Sequence, residues 1–271
     1  MTKLLYNQTL VKACQIDYED GPIDPQCTLI HTRAWHFENL QKNLKHKAIV
    51  CMSMGDCGLE FIDNNYTIGR YFERIYQFNQ FNENIIKLYC PHNATNYGEG
   101  VPCGVMFAPD GINHSRLLKA EQTIIPKTKL CFVKFHTGNH PMRPHIFDMF
   151  KYKTWATVEP IDQIDTGTFF QKMKQHKFVV CPRGHGPDCY RTWEALYMGC
   201  IPIVPSDKIG GCHHHFRGKL PILEVDNWNL TPQYLEKVWD DWSKREWQWE
   251  LLTEEYWINK IQTEHENLYL S

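Results

Sequence analysis

Apolar residues in this chain gather in short runs, set apart by glycine, proline and polar clusters. Runs of three to six residues rich in Val, Ile, Phe and Cys are too short for helices and suit buried strands. They occur at Cys27 to Thr32, Ala48 to Met52, Ile85 to Cys90, Leu130 to Phe135, Trp155 to Val158, Phe178 to Val180, Ile201 to Val204 and Pro221 to Val225. Between them, helical patterns cover Trp35 to His46, Pro144 to Phe150, Gly167 to Gln175 and Cys189 to Met198. Tyr66 to Phe81, aromatic and polar with irregular spacing, is read as helical too. A last helical stretch opens at Thr231-Pro232, with Thr as N-cap and Pro at the first helical position. Strands alternating with helices predict an α/β protein with parallel sheets. The pattern divides into a domain over residues 1–124, a second over 125–252 and a C-terminal helix over 253–271, with a linker near Glu121 to Lys127.

The most informative stretch runs from Lys177 to Asp207. Phe178 to Val180 reads as a strand, and Pro182 to Pro187 holds two glycines and two prolines that forbid regular structure. Asp188 is placed to cap the helix that follows, Gly199 to stop it, and Ile201 to Val204 is the next strand. Ligands of such sheets sit beyond the carboxyl ends of the strands, beside helix N-termini, which is where the loop from Arg183 to Asp188 lies. Gly184 and Gly186 let backbone N–H groups approach an anion. Arg183 and Arg191 add fork-shaped donors that match phosphate oxygens. Asp188, Arg191 and Glu194 recur every three residues and share a helix face. Glu194 falls about 9 Å below Asp188, roughly the span from a pyrophosphate to a ribose. The combination points to a nucleoside diphosphate.

The run CPRGHGPDCYRTWEALYMGCIPIV resembles the C-terminal signature of exostosin-like glycosyltransferases, with Cys189 where Ser is usual. A weaker echo occurs at Val101 to Val105 and from Phe132 to Arg143; the first hundred residues match only in layout. The chain looks most like compact members from large DNA viruses and bacteria. The resemblance implies a GT-B-like fold: two Rossmann-type α/β domains facing a cleft, with long C-terminal helices. It implies an acceptor-binding first domain, and a second domain holding a UDP-sugar with Arg143 and Lys134 as further donor-binding residues. It also implies inversion at the anomeric carbon and a last helix that packs back on the first domain. Xylose is the first donor sugar to consider. A GDP-fucose-dependent enzyme and a non-enzymatic glycan-binding protein are the alternatives.

Composition narrows the partners. The net charge of −2 argues against nucleic acid, since proteins that track phosphates carry a basic excess. No apolar run is long enough to span a bilayer and no signal peptide is evident, so a cytoplasmic location is expected. Eleven scattered cysteines, odd in number, read as buried free thiols rather than a disulfide framework. The sequons at Asn7, Asn65, Asn93, Asn113 and Asn229 read as accidents of composition. Cys212-His213-His214-His215 is a poor metal site, because consecutive side chains diverge. No Asp-x-Asp element is present, so neither cofactor nor metal is expected. Arginines and a helix dipole would meet the leaving diphosphate instead. A catalytic base should come from a strand-end loop of the first domain. Asp56, in Met54-Gly55-Asp56-Cys57-Gly58, is the first candidate, with His31 and Asp63 as rivals. The six tryptophans from Trp228 onward are read as packing.

Overall fold

The computed structural model describes residues 4–5, 8–54, 58–62, 64–69, 76–106, 111–160 and 165–269. The chain forms two compact units, one of residues 1–103, 185–187 and 250–271, the other of residues 104–184 and 188–249. Each is built on a five-stranded, wholly parallel sheet.

The first unit opens with α1 (Thr9–Ala13), β1 (Ile16–Tyr18), β2 (Leu29–Arg33), α2 (Phe37–Asn43) and β3 (Ala48–Ser53). A small antiparallel sheet follows: β4 (Gly58–Ile62), β5 (Asn65–Gly69) and β6 (Tyr76–Phe78). The chain then returns to the main sheet through β7 (Ile85–Cys90) and β8 (Glu99–Gly100), giving the order β1-β2-β3-β7-β8. Phe37 and Leu40 of α2 pack with Ile30, Val50, Met52 and Leu88 on one face. The expected helix over Tyr66 to Phe81 is therefore corrected: residues 65–69 and 76–78 are strands. Asn64 adopts a left-handed conformation (φ 63°) between the paired Ile62 and Asn65, a two-residue hairpin turn of the kind Asn favours.

The second unit contains α3 (Ile112–Gln122), β9 (Lys129–Val133), α4 (Met142–Lys151), β10 (Ala156–Val158), α5 (Thr166–Lys174), β11 (His176–Val180), α6 (Tyr190–Tyr197), β12 (Ile201–Pro205), β13 (Leu223–Val225) and α7 (Pro232–Trp242). Its strand order is β10-β9-β11-β12-β13. The unit begins at Gly104 rather than at residue 125, because α3, unread in the sequence, packs on α5. All five residues of β12 are buried, the mark of a strand covered on both faces. Thr231 caps α7, its hydroxyl accepting from the Tyr234 N–H at 3.3 Å, with Pro232 next. The C-terminal tail is interrupted rather than continuous: after α7 a 3-10 turn at Trp249–Leu252 leads back into the first unit. There α8 (Glu254–Tyr269) packs on α1, with Lys12 and the Thr9 hydroxyl donating to the Glu254 carboxylate. Trp239 and Trp242 pack against the core of the second unit, and Trp257 is buried with its Nε1 donating to the Leu251 carbonyl.

Among the described residues the ten cysteines are free, and no helix is long and apolar enough to cross a membrane.

One buried histidine should make the second unit sensitive to acid. His176 is 1% exposed, lies 4.9 Å from the Phe132 ring and donates from Nδ1 to the Lys172 carbonyl, while Nε2 has no partner among the described residues. Burial depresses its pKa to about 4, opposed by that carbonyl. Its stabilising contribution is present above the unfolded pKa and is lost as pH falls through the folded one. Acidification from about pH 6.5 to 4 should remove roughly 3 kcal/mol. Thermal melts across that range should fall less steeply in His176→Gln than in the native chain.

Candidate active site

The second sheet reverses direction once. Its first strand, β9, lies between β10 and β11, so loops leaving β9 and β11 part in opposite directions and open a crevice at the carboxyl edge. Arg143, in the first turn of α4, spans that point. Its Nη1 donates to the His136 carbonyl after β9 (2.8 Å). Nε and Nη2 donate to the Arg183 and Pro182 carbonyls after β11 (2.7 and 2.8 Å). The side chain is buried, and desolvation lowers its pKa. These contacts make Arg143 a brace of the loop. A Cβ on Gly184 would come within 3.4 Å of Arg143 Nη2, so the guanidinium packs close against the loop at this position.

The rest of the loop is fixed by two further contacts. Arg183 Nη1 donates to the Gly210 carbonyl at 3.1 Å, and a Cβ at Gly210, whose φ is +83°, would stand 2.5 Å from that nitrogen. Asp188 is the junction. Its Oδ1 accepts from the Cys189 N–H (2.7 Å) and meets His213 Nε2 (3.0 Å), and its Oδ2 accepts from Trp193 Nε1 (2.8 Å). Asp188 and His213 are almost wholly buried, and Trp193 is fully so. The helix cap is thereby corrected: Cys189, not Asp188, is the N-cap of α6, because the carboxylate is drawn inward to Trp193 and His213. The amide N–H groups of Gly184 and Gly186 make no hydrogen bond among the described residues.

Arg191 and Glu194 project from the first turns of α6 as a pair, Nη1 to Oε2 at 2.8 Å. The guanidinium lies 4.0 Å from the centre of the Phe169 ring, a close cation–π contact. Arg191 Nε is buried without a partner among the described residues. Burial raises the Glu194 pKa, opposed by Arg191. Lys134 follows β9 and donates to the Pro160 carbonyl at 2.7 Å beside Glu159. A cavity of about 250 Å³ opens on the α4 side of the loop, walled by Arg143, Arg183, Ile146, Pro205 and Trp228.

The histidine run is split: His213 parts from its neighbours, whereas the His214 and His215 rings lie 4.0 Å apart. His213 turns inward to Asp188, while His214 meets Asp207 at 3.0 Å. Among the described residues no cluster of His, Cys, Asp or Glu has the arrangement of a metal site.

In the first unit, His31 lies in β2 with no exposed surface. Its Nδ1 is 2.6 Å from Asp17 Oδ1 and its Nε2 is 2.8 Å from Ser53 Oγ. Asp56 and Asp63 lie outside the described residues. Asp17, Ser53, Trp193 and His213 are the polar partners that sequence reasoning did not assign. Only Trp193, five residues from Asp188, could have been paired from local spacing.

The model for the RXYLT1 C-terminal domain matches residues 147–259. A "probable glycosyltransferase" of Arabidopsis thaliana is 29% identical over 105 residues, 38% of this chain and 20% of that protein. A "probable glucuronosyltransferase" of rice is 26% identical over 108 residues, 38% of this chain and 24% of the relative. The chain thus spans about a quarter or less of the curated relatives it matches. A chain in the crystal structure of a GtfA/B complex aligns over 88% of this chain and 56% of its own length, at 12% identity and a TM-score of 0.38, too slight a likeness to bear on function.

If Arg143 is chiefly a brace, removing it should unsettle the fold before any ligand is added. Arg143→Met strips the charged donors from three carbonyls and should lower stability by roughly 3 kcal/mol. The readout is a melting temperature lower by several degrees without ligand. An unchanged melt would show that the contacts do not hold the loop.

Proposed function

We propose that the chain is a glycosyltransferase that moves a sugar from a nucleoside diphosphate to a hydroxyl of a glycan acceptor, with inversion. The observation that carries this reading is the loop from Arg183 to Asp188: braced from within by Arg143, placed at the sheet's switch point and followed by the Arg191–Glu194 pair. Glycine N–H groups, the N-terminus of α6 and the two arginines would take up the charge of the leaving diphosphate, which is where such a reaction needs stabilisation. Glu194 would exchange its contact with Arg191 for the ribose hydroxyls. The RXYLT1 C-terminal domain model matches residues 147–259, a stretch that includes this loop and α6.

The donor is UDP-linked. Xylose is the first sugar to test. In this reading the second unit binds the donor, and His31 and Asp56 are the candidates for the base. No divalent ion is assigned to the leaving group, and transfer should persist in excess EDTA.

Arg191→Ala should slow transfer by about 2–4 kcal/mol of barrier. Because the buried Glu194 loses its ion-pair partner, the variant should melt lower, and rates are compared at a temperature where both proteins are folded. Transfer at the native rate would remove the role. Calorimetry with UDP and GDP tests the nucleotide: tighter GDP binding would favour the fucosyltransferase alternative. Binding of glycans with no turnover of any UDP- or GDP-sugar would favour a glycan-binding protein.

A further inference from the structure

Three strands of the first sheet carry a hydrogen-bonded chain of side chains. Asp17 of β1, His31 of β2 and Cys51 of β3 are aligned in register. Because side chains alternate along a strand, Ser53, two residues past Cys51, lies on the same face, nearer the carboxyl edge. Asp17 Oδ1 stands 2.6 Å from His31 Nδ1, and Ser53 Oγ stands 2.8 Å from His31 Nε2. An ionised carboxylate accepts only, so Nδ1 carries the hydrogen and Nε2 presents its lone pair to the serine hydroxyl. Burial pushes the His31 pKa down against the pull of Asp17, which keeps the ring neutral and able to take a proton.

Exposure is graded along the chain. The imidazole is 1% exposed and cannot meet a substrate, whereas Ser53 is only partly buried and ends its strand. His31 and Thr32 are the buried polar side chains of β2, and Asp17 and Ser53 meet the imidazole at both of its nitrogens. The carboxyl edge of a parallel sheet is where reacting groups are presented.

We propose that Ser53, backed by His31 and Asp17, takes the proton of the acceptor hydroxyl. This rests on the transferase reading and deepens it, assigning the base function that reading left between His31 and Asp56. The acceptor O–H gives its proton to Ser53 Oγ as the serine's own proton passes to His31 Nε2. The acceptor oxygen forms the bond to the anomeric carbon, and the bond from that carbon to the diphosphate breaks, its electron pair leaving with the phosphate. The imidazolium is held beside the Asp17 carboxylate until it releases its proton to solvent. Ser53 is the catalytic residue in this scheme, and His31 and Asp17 are positioning residues that act through it.

The test uses the full chain, UDP-xylose and a panel of methyl glycosides as acceptors, with transfer and UDP binding measured separately. Ser53→Ala should lower kcat for transfer by about 10²–10⁴-fold. UDP affinity and the KM for UDP-xylose should stay within about twofold, a split that loss of packing would not give. Ser53→Thr, which keeps the hydroxyl, should recover most of the rate, and His31→Gln and Asp17→Asn should lose rate with the same split. If His31→Gln does not fold, the Ala and Thr variants at the strand end still decide. Native-like transfer in Ser53→Ala overturns the relay and leaves the transferase reading standing; a product of retained configuration overturns the relay together with the inversion in that reading. A native chain that neither binds UDP nor transfers from any UDP- or GDP-sugar overturns the transferase reading and the relay with it.

Discussion

One guanidinium holds the second unit's edge together. Without Arg143 the carbonyls of His136, Pro182 and Arg183 would converge at the switch point with no donor between them. A single buried charge satisfies all three, and the cost of desolvating it is offset because each contact is a charge-assisted hydrogen bond. The consequences run outward. The β11 loop runs close to the guanidinium at Gly184, and its Pro182 and Arg183 carbonyls are committed to it. The Gly184 and Gly186 N–H groups make no hydrogen bond among the described residues, and open amides of this kind suit an anion.

Asp188 does the complementary work at the other end of the loop. Its carboxylate gathers one backbone N–H, one indole N–H and one imidazole, drawn from the loop, the middle of α6 and the turn after β12. That fixes where α6 begins and which way its face turns, so Arg191 and Glu194 stand one above the other beside Phe169. Two buried charges of opposite sign, Arg143 and Asp188, thus frame the loop without needing to contact a ligand. In the proposed reading the diphosphate would meet a separate set, Arg183 and Arg191.

The sheets were legible in the sequence because their strands are short apolar runs bounded by breakers, and the loop from Pro182 to Pro187 announces itself by composition. The roles within the site were less so. Arg143 and Asp188 are conspicuous in the sequence as charged residues near a loop, which says nothing of whether the charge points in or out. Arg143 meets its carbonyls 7, 39 and 40 residues away, and Asp188 meets His213 25 residues away. Local spacing carries no record of such pairings. The hairpin at Ile62 to Asn65 was lost for a different reason: a period-2 pattern interrupted by polar residues reads as an irregular helix until the left-handed Asn64 is seen. Asp17 was hidden because β1 has only three residues, too few for alternation to register.

The two sheets differ in a way that suits a division of labour. In the second, the strand order doubles back at β9 and creates a switch point, and the charged groups sit there. In the first, the order β1-β2-β3-β7-β8 runs in one direction with no reversal, so no crevice of that kind can form within it. Its linked polar side chains lie along the strands instead: register pairs Asp17 with His31, and strand alternation brings Ser53, two residues past Cys51, to the same face. A neutral buried imidazole backed by a carboxylate is suited to receive a proton and poorly suited to hold an anion. A loop of arginines and amides is the reverse. In the transferase reading proposed above, moving a sugar from a diphosphate to a hydroxyl would need one of each, a sink for the departing negative charge and a sink for the proton.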